Sequence, residues 1–387
     1  MKYIYKTFLI TLLVLTFVIF PQHYEPERTL FDPNSIPLKP IEEVILNKMS
    51  IEQKVGQLFI FGFDGTTLNT KTQEFFQDTH LGGVLLLSKN INNEKQLIQL
   101  TTQIQQTLPI PLFISIDQEG NPVARIEWNE TLTKPQSSIT TPQQAFNLAL
   151  SRGEILKGLG INMNLAPVVE YITNTHSFLY DRVYRGNQEE ILQKSISSIN
   201  GYTQAEIIPV PKHYPGHSNT SPDSHYNLPV VNIDRNQWDI YIEPFSKILE
   251  QTEVNALMVG HIKYPNIDSK PSTISNEIIN ERLIETFNYE GIVISDDMEM
   301  DALENINTYS ILAKQALLAG NDILIYSKYR NNHPDLQKDV YNYIVREVNN
   351  GNIDLNILNN KVLRILKVKI DYNVLDPDIT LENLKKT

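Results

Sequence analysis

Ile207-Ile208-Pro209-Val210-Pro211-Lys212-His213-Tyr214-Pro215-Gly216-His217 is a short apolar run that breaks into lysine and histidine. Prolines 211 and 215 and Gly216 forbid a regular helix after the run, because each proline lacks a donor N–H and fixes φ. The segment therefore reads as a buried strand that ends in a polar loop. Working outward, the same unit recurs along the chain. Its other apolar runs are residues 58–63, 83–87, 112–116, 161–166, 256–259, 291–294 and 322–326, each followed by a polar stretch and then by helical periodicity. Runs apolar on both faces and separated by helices indicate a parallel sheet. Eight such units predict an α/β fold, a single (β/α)8 TIM-like barrel. The rival is an open doubly wound sheet, for which no G-x-G-x-x-G fingerprint is present.

Polar residues follow the runs at Asp117, Lys212 and His213, His261, and Asp296 and Asp297. In a barrel these strand ends meet on one face, where active sites lie. Asp296 and Asp297 end the run Ile292-Val293-Ile294-Ser295. Strand parity sends them to opposite sides, one into the barrel mouth and one among the loops, without saying which; a helix N-cap at Asp297 is compatible with either. Asp117, with Arg125 shortly after it, pairs an acceptor with a donor at the mouth and suits a polyhydroxylated ligand. Glu119 reads as a structural salt-bridge partner. Arg182, in the long segment after the fourth run, is placed to reach the same mouth.

Three of the eight histidines, 213, 217 and 225, fall within thirteen residues. His213 and His217 have the i, i+4 spacing of a helical zinc site, but Pro215 and Gly216 between them prevent that helix, so no metal is expected. A loop site from His213, His217, Asp223 and His225 is the metal alternative. Asp223 stands two residues from His225, close enough in a turn to orient it and favour its imidazolium, which makes a proton donor and acceptor near neutral pH. A turn with a surface histidine is the plain reading of that pair.

The chain has 387 residues, 33 Lys plus Arg against 45 Asp plus Glu, and a formal charge of −12 with no basic run. That argues against nucleic acid, whose binding depends on phosphate neutralisation. The absence of cysteine excludes disulfides, thiolate metal sites and a cysteine nucleophile. Residues 1–20 place Lys2 and Lys6 before an apolar stretch from Phe8 to Phe20, which reads as a signal peptide or a membrane anchor. No small-residue cleavage site follows, so the reading leans to an anchor. Residues 21–40 carry prolines 21, 26, 33, 37 and 40 and read as an extended linker. Residues 41–387 would form the barrel domain, working outside the cytoplasm. Ser50 with Gln53 gives a capping-box start to its first helix, and the tail from about residue 335 to 375 is helical in pattern.

These pieces in this order resemble glycoside hydrolase family 3, and within it the bacterial β-N-acetylglucosaminidases. The resemblance rests on Leu81-Gly82-Gly83-Val84, Ile116-Asp117-Gln118-Glu119-Gly120, Asn164-Leu165-Ala166-Pro167-Val168, Lys212-His213-Tyr214-Pro215-Gly216-His217, Asp223-Ser224-His225 and Ser295-Asp296-Asp297-Met298. It implies Asp296 as nucleophile, Asp223 and His225 as an acid/base dyad, and Asp117, Arg125, Arg182, Lys212 and His213, with His261 nearby, as holders of the terminal sugar. The implied reaction is retaining removal of terminal β-linked N-acetylglucosamine from muropeptides or chitooligosaccharides, by a monomer needing no cofactor, of bacterial type and held at or secreted across the membrane. A histidine in place of the second carboxyl departs from the common retaining scheme. It would repel an anionic acceptor less, so phosphate could replace water. The alternatives are a β-glucosidase, β-xylosidase or phosphorylase of the same family, a non-catalytic cell-wall glycan-binding protein on an inherited barrel, and a metallohydrolase. The chain departs from the pattern at Asn121-Pro122-Val123, where relatives have Gly-Arg-Val, and at Ser218, where glycine is usual.

Overall fold

The computed structural model describes residues 39–217, 223–224, 226–328 and 333–385. The expected signal or anchor, residues 1–20, and the linker to residue 38 lie outside the described residues. Among the described residues no helix is long and apolar enough to cross a membrane.

Eight parallel strands form a (β/α)8 TIM-like barrel. They are β1 Phe59–Gly62, β2 Gly83–Leu86, β3 Phe113–Ile116, β4 Met163–Asn164, β5 Ile208–Pro209, β6 Ala256–Val259, β7 Ile292–Asp297 and β8 Ile323–Tyr326. Each falls within or across one of the eight apolar runs. The ladder runs β5-β4-β3-β2-β1-β8-β7-β6, with β1 pairing both β2 and β8. Among the described residues no strand ladder forms between β5 and β6, since prolines 209 and 211 have no N–H to give. The ring is closed instead by the polar loop: Tyr214 N donates to Met258 O at 2.8 Å, Gly260 N to Tyr214 O at 3.0 Å, and Met258 N to Pro211 O at 3.1 Å. The segment that carries Lys212 and His213 is thus itself part of the barrel wall.

Ser50 and Gln53 make the reciprocal capping box at the start of helix Ile51–Gly56. The tail forms helices Leu336–Asn349, Leu355–Asp371 and Pro377–Leu384. Leu355–Asp371 packs its buried Leu358, Val362, Ile365 and Leu366 into the main core. From it Lys369 reaches Gln57, Gly82 and Pro111, the residues just before β1, β2 and β3. This helix therefore covers the end of the barrel opposite the polar loops.

Candidate active site

At the carboxyl end of the strands lies a cavity of about 230 Å³. Leu85, Leu165, Met258 and Ile325 line it. They come from β2, the end of β4, β6 and β8, the alternate-strand layer that a barrel of this kind builds. Its polar lining includes Asp117, Glu119, Arg125, Arg182, Lys212, His213, Ser224, Asp296, Asp297 and Glu299.

Gln118 shapes the first wall. Its Oε1 accepts from Arg125 N and Ile126 N, both at 3.0 Å, and its Nε2 donates to Ile126 O at 3.0 Å and Leu132 O at 2.9 Å. Asn164 of β4 clamps the Gln118 backbone from the other side, at 2.9 and 3.1 Å. With both ends of the loop pinned, Asp117 and Arg125 are held 3.2 Å apart.

The charges form one chain. Lys212 Nζ lies 2.8 Å from Asp117 and 2.7 Å from Glu119, and Arg182 grips Glu119 with two bonds of 2.9 and 2.8 Å. Burial alone would push both acids up, but Lys212 and Arg125 hold Asp117 well below the usual carboxylate range, and Arg182 and Lys212 bring Glu119 down to about 2. Lys212 is likewise raised, its two carboxylates overcoming burial. Such pairs are ionised and oriented, those on Glu119 being buried, which suits recognition of sugar hydroxyls. Arg125 Nε is buried with no acceptor among the described residues, leaving one donor for a ligand.

His213 is set by Glu170. Glu170 Oε1 lies 3.0 Å from His213 Nδ1 and 3.2 Å from His213 N, and 3.2 Å from His217 Nδ1; its Oε2 accepts from His217 N. Burial pushes His213 down to about 4, beyond what the Glu170 bond restores, so the ring is neutral. An ionised carboxylate only accepts, so Nδ1 of His213 carries the proton and Nε2 is its acceptor. Glu170 is itself held well below its usual range by both histidines, against the effect of burial. The Glu170, His213 and His217 ligand atoms lie within 4.8 Å of one another, a set that could hold a metal. Their mutual bonds already satisfy the carboxylate.

β7 departs from simple alternation. Ile294 pairs with Ile323 and Asp297 with Ile325, so three steps on β7 match two on β8. This bulge shifts the parity, and both Asp296 and Asp297 line the cavity rather than one of them. Ser295 compensates the ladder: its hydroxyl accepts from Ile325 N at 3.1 Å. Asp297 N donates to Asp296 Oδ1 at 2.8 Å. Asp297 binds the Ser327 hydroxyl and accepts from Ser327 N at 3.2 Å and Glu299 N at 3.1 Å, capping a turn rather than a long helix. Gly62 makes room for that contact, because a Cβ there would stand 1.8 Å from Ser327 O. Burial raises Asp297 to about 6, and burial with Asp297 alongside raises Glu299 to about 7. Asp296 is near enough to Arg182 and His213 to favour their cationic forms.

The structure thus gathers Asp117, Arg125, Arg182, Lys212, His213 and Asp296 round one cavity. His261 is not in its lining: fully buried, it bonds Thr273 Oγ1 and lies 2.9 Å from Asp297 O, behind the wall. Asp223 lies beside the lining residue Ser224. His225 and Ser218 lie outside the described residues. Glu170 and Glu299 are the site residues that reading the sequence missed. Glu170 follows the fourth run as Asp117 follows the third, and that placement could have revealed it.

Residues 50–368 match the family described as Glycosyl hydrolase family 3 N terminal domain. The Beta-hexosaminidase A of Pseudoalteromonas piscicida is 30% identical over 301 residues, which cover 70% of this chain and 50% of that protein. The Beta-hexosaminidase of Photobacterium profundum is 27% identical, covering 69% of this chain and 80% of that protein. This chain thus spans half the length of the first and four-fifths of the second. A solved glycoside hydrolase family 3 beta-N-acetylglucosaminidase from Paenibacillus sp. str. FPU-7 superposes with a TM-score of 0.78 at 28% identity, covering 87% of this chain and 68% of that one.

Proposed function

The chain belongs to glycosyl hydrolase family 3, and from that premise we propose that it is a retaining exo-β-N-acetylglucosaminidase. The observation that carries the reading is Asp296, at the end of β7, lining a cavity of about 230 Å³ whose walls hold the Asp117–Lys212–Glu119–Arg182 charge chain. In this reaction Asp296 attacks the anomeric carbon and forms a glycosyl ester as the glycosidic bond breaks. His225, oriented by Asp223, gives its proton to the leaving oxygen, then takes one from the water that cleaves the ester. Asp117, Arg125, Arg182, Lys212 and neutral His213 hold the sugar's hydroxyls, and the hydrogen bond from Asp297 N keeps the Asp296 carboxylate aimed.

The beta-hexosaminidase relatives support the N-acetylhexosamine specificity. On this reading the natural substrates are terminal β-linked N-acetylglucosamine units of peptidoglycan-derived muropeptides or chitooligosaccharides, met on the outer side of a membrane reached through residues 1–20.

An aryl N-acetyl-β-glucosaminide should be cleaved with the β-anomer formed first, as followed by NMR, and an aryl β-glucoside should be a poor substrate. Asp296→Asn should lower kcat by at least about 10³-fold, as expected for loss of a covalent nucleophile. Equal turnover by that variant, or an inverted first product, would overturn the assignment.

A further inference from the structure

The cavity of about 230 Å³ is smaller than the roughly 300–1,000 Å³ of pockets for drug-sized ligands. On the hexosaminidase reading it takes the terminal N-acetylhexosamine, and the sugar that leaves lies outside, against the rim. We propose that Tyr226 is the stacking platform for that leaving-group sugar, a residue that selects glycan over non-cyclic aglycones. Tyr226 is 67% exposed, and among the described residues it is the one exposed large apolar side chain that lines the cavity. Trp128 and Tyr171, also exposed, do not line it.

Tyr226 N and Asn227 N both donate to Asp223 O at 3.0 Å, and Ser224, 2% exposed, also lines the cavity. An aromatic face at such a rim offers a large rigid surface for two side-chain torsions, so it loses little entropy when the C–H face of a pyranose settles on it.

The test is binding of N-acetylglucosamine and of its β-1,4-linked disaccharide, by calorimetry, in the Asp296→Asn background. Tyr226→Ala should weaken the disaccharide about tenfold, as loss of an aromatic stack does, and leave the monosaccharide unchanged; Tyr226→Phe and Tyr226→Trp should restore the disaccharide. Monosaccharide binding doubles as the control for folding. An equal loss for both sugars, no loss for either, or failure of phenylalanine to restore would overturn the proposal. Turnover of the aryl N-acetylglucosaminide by the otherwise unaltered protein is measured alongside. Absent turnover with disaccharide selectivity present would sink the enzymatic reading alone, and turnover without selectivity would sink Tyr226 alone.

Discussion

Lys212 and Lys369 are both buried, one at each end of the barrel, with 2% and 0% of their surface exposed. Burial disfavours both ammonium groups, yet the outcomes are opposite. Lys212 is raised, because two carboxylates lie within 2.8 Å. Lys369 is pushed down to about 7 by burial. Its Nζ is bonded to neutral acceptors, Gln57 Oε1 at 2.7 Å, Gly82 O at 3.0 Å and Pro111 O at 2.7 Å, and sits 4.8 Å above the Phe113 ring. Dipoles orient an ammonium, while full opposite charges also keep it ionised. The end of the barrel with acids beside its cation is equipped to hold a ligand by charge. The other end uses its lysine to tie the starts of three strands to the covering helix.

The sharpest way to break that contrast is Lys212→Met. It strips a shared cation from Asp117 and Glu119, which Arg125 and Arg182 only partly replace, and should cost about 3 kcal/mol in urea unfolding, as removing one partner of a buried pair does. The same variant should lower kcat/KM by about 100-fold through misplaced sugar contacts. A loss smaller than that of Lys369→Met would invert the comparison.

Lys369→Met takes a donor from three neutral acceptors, of which Gly82 O still accepts from Phe113 N, leaves no unpaired charge, and should cost about 1–2 kcal/mol with activity kept. Its pH signature is more telling. The folded protein releases the Lys369 proton near 7, whereas an unfolded lysine holds it to about 10.4. Between these values the unfolded state binds more protons, so stability rises with pH, by at most about 1.4 kcal/mol per unit. Unfolding midpoints from pH 7 to 10 should show this rise in the parent and not in Lys369→Met.

The smallest effect concerns Glu299, raised to about 7 by burial and Asp297. Here the folded state keeps its proton to higher pH than the unfolded chain, so this acid makes stability fall as pH rises from about 4.3 to 7. Glu299→Gln should flatten that fall and gain about 1 kcal/mol at pH 8, as read from urea titrations. An unchanged profile would show that Lys328 N, 2.7 Å from Glu299 Oε1, keeps the acid ionised.

All eight strands were legible as apolar runs, because a strand covered on both faces must be apolar at every position. Asp117, Arg125, Arg182, Lys212, His213 and Asp296 were legible as polar residues after those runs or through the family resemblance. Hidden were the features that depend on what lies across space. His261 follows a run like the others, but its ring turns to Thr273 and the Asp297 backbone. Parity misjudged Asp297 because the β7 bulge exists only in register with β8. Glu170 gained its role from two histidines more than forty residues away.

By itself the sequence determined the count and order of the strands, the polar loop at 211–217 and the types of residue brought to one face, since periodicity and proline chemistry are local. The tertiary structure decided how the barrel closes, through Tyr214 and Met258 rather than a β5–β6 ladder. It also decided that Glu119, Lys212 and Arg182 form one charge chain, and which buried lysine is raised and which lowered. Those outcomes turn on Coulomb terms and hydrogen bonds between residues distant in the chain, which no local pattern records.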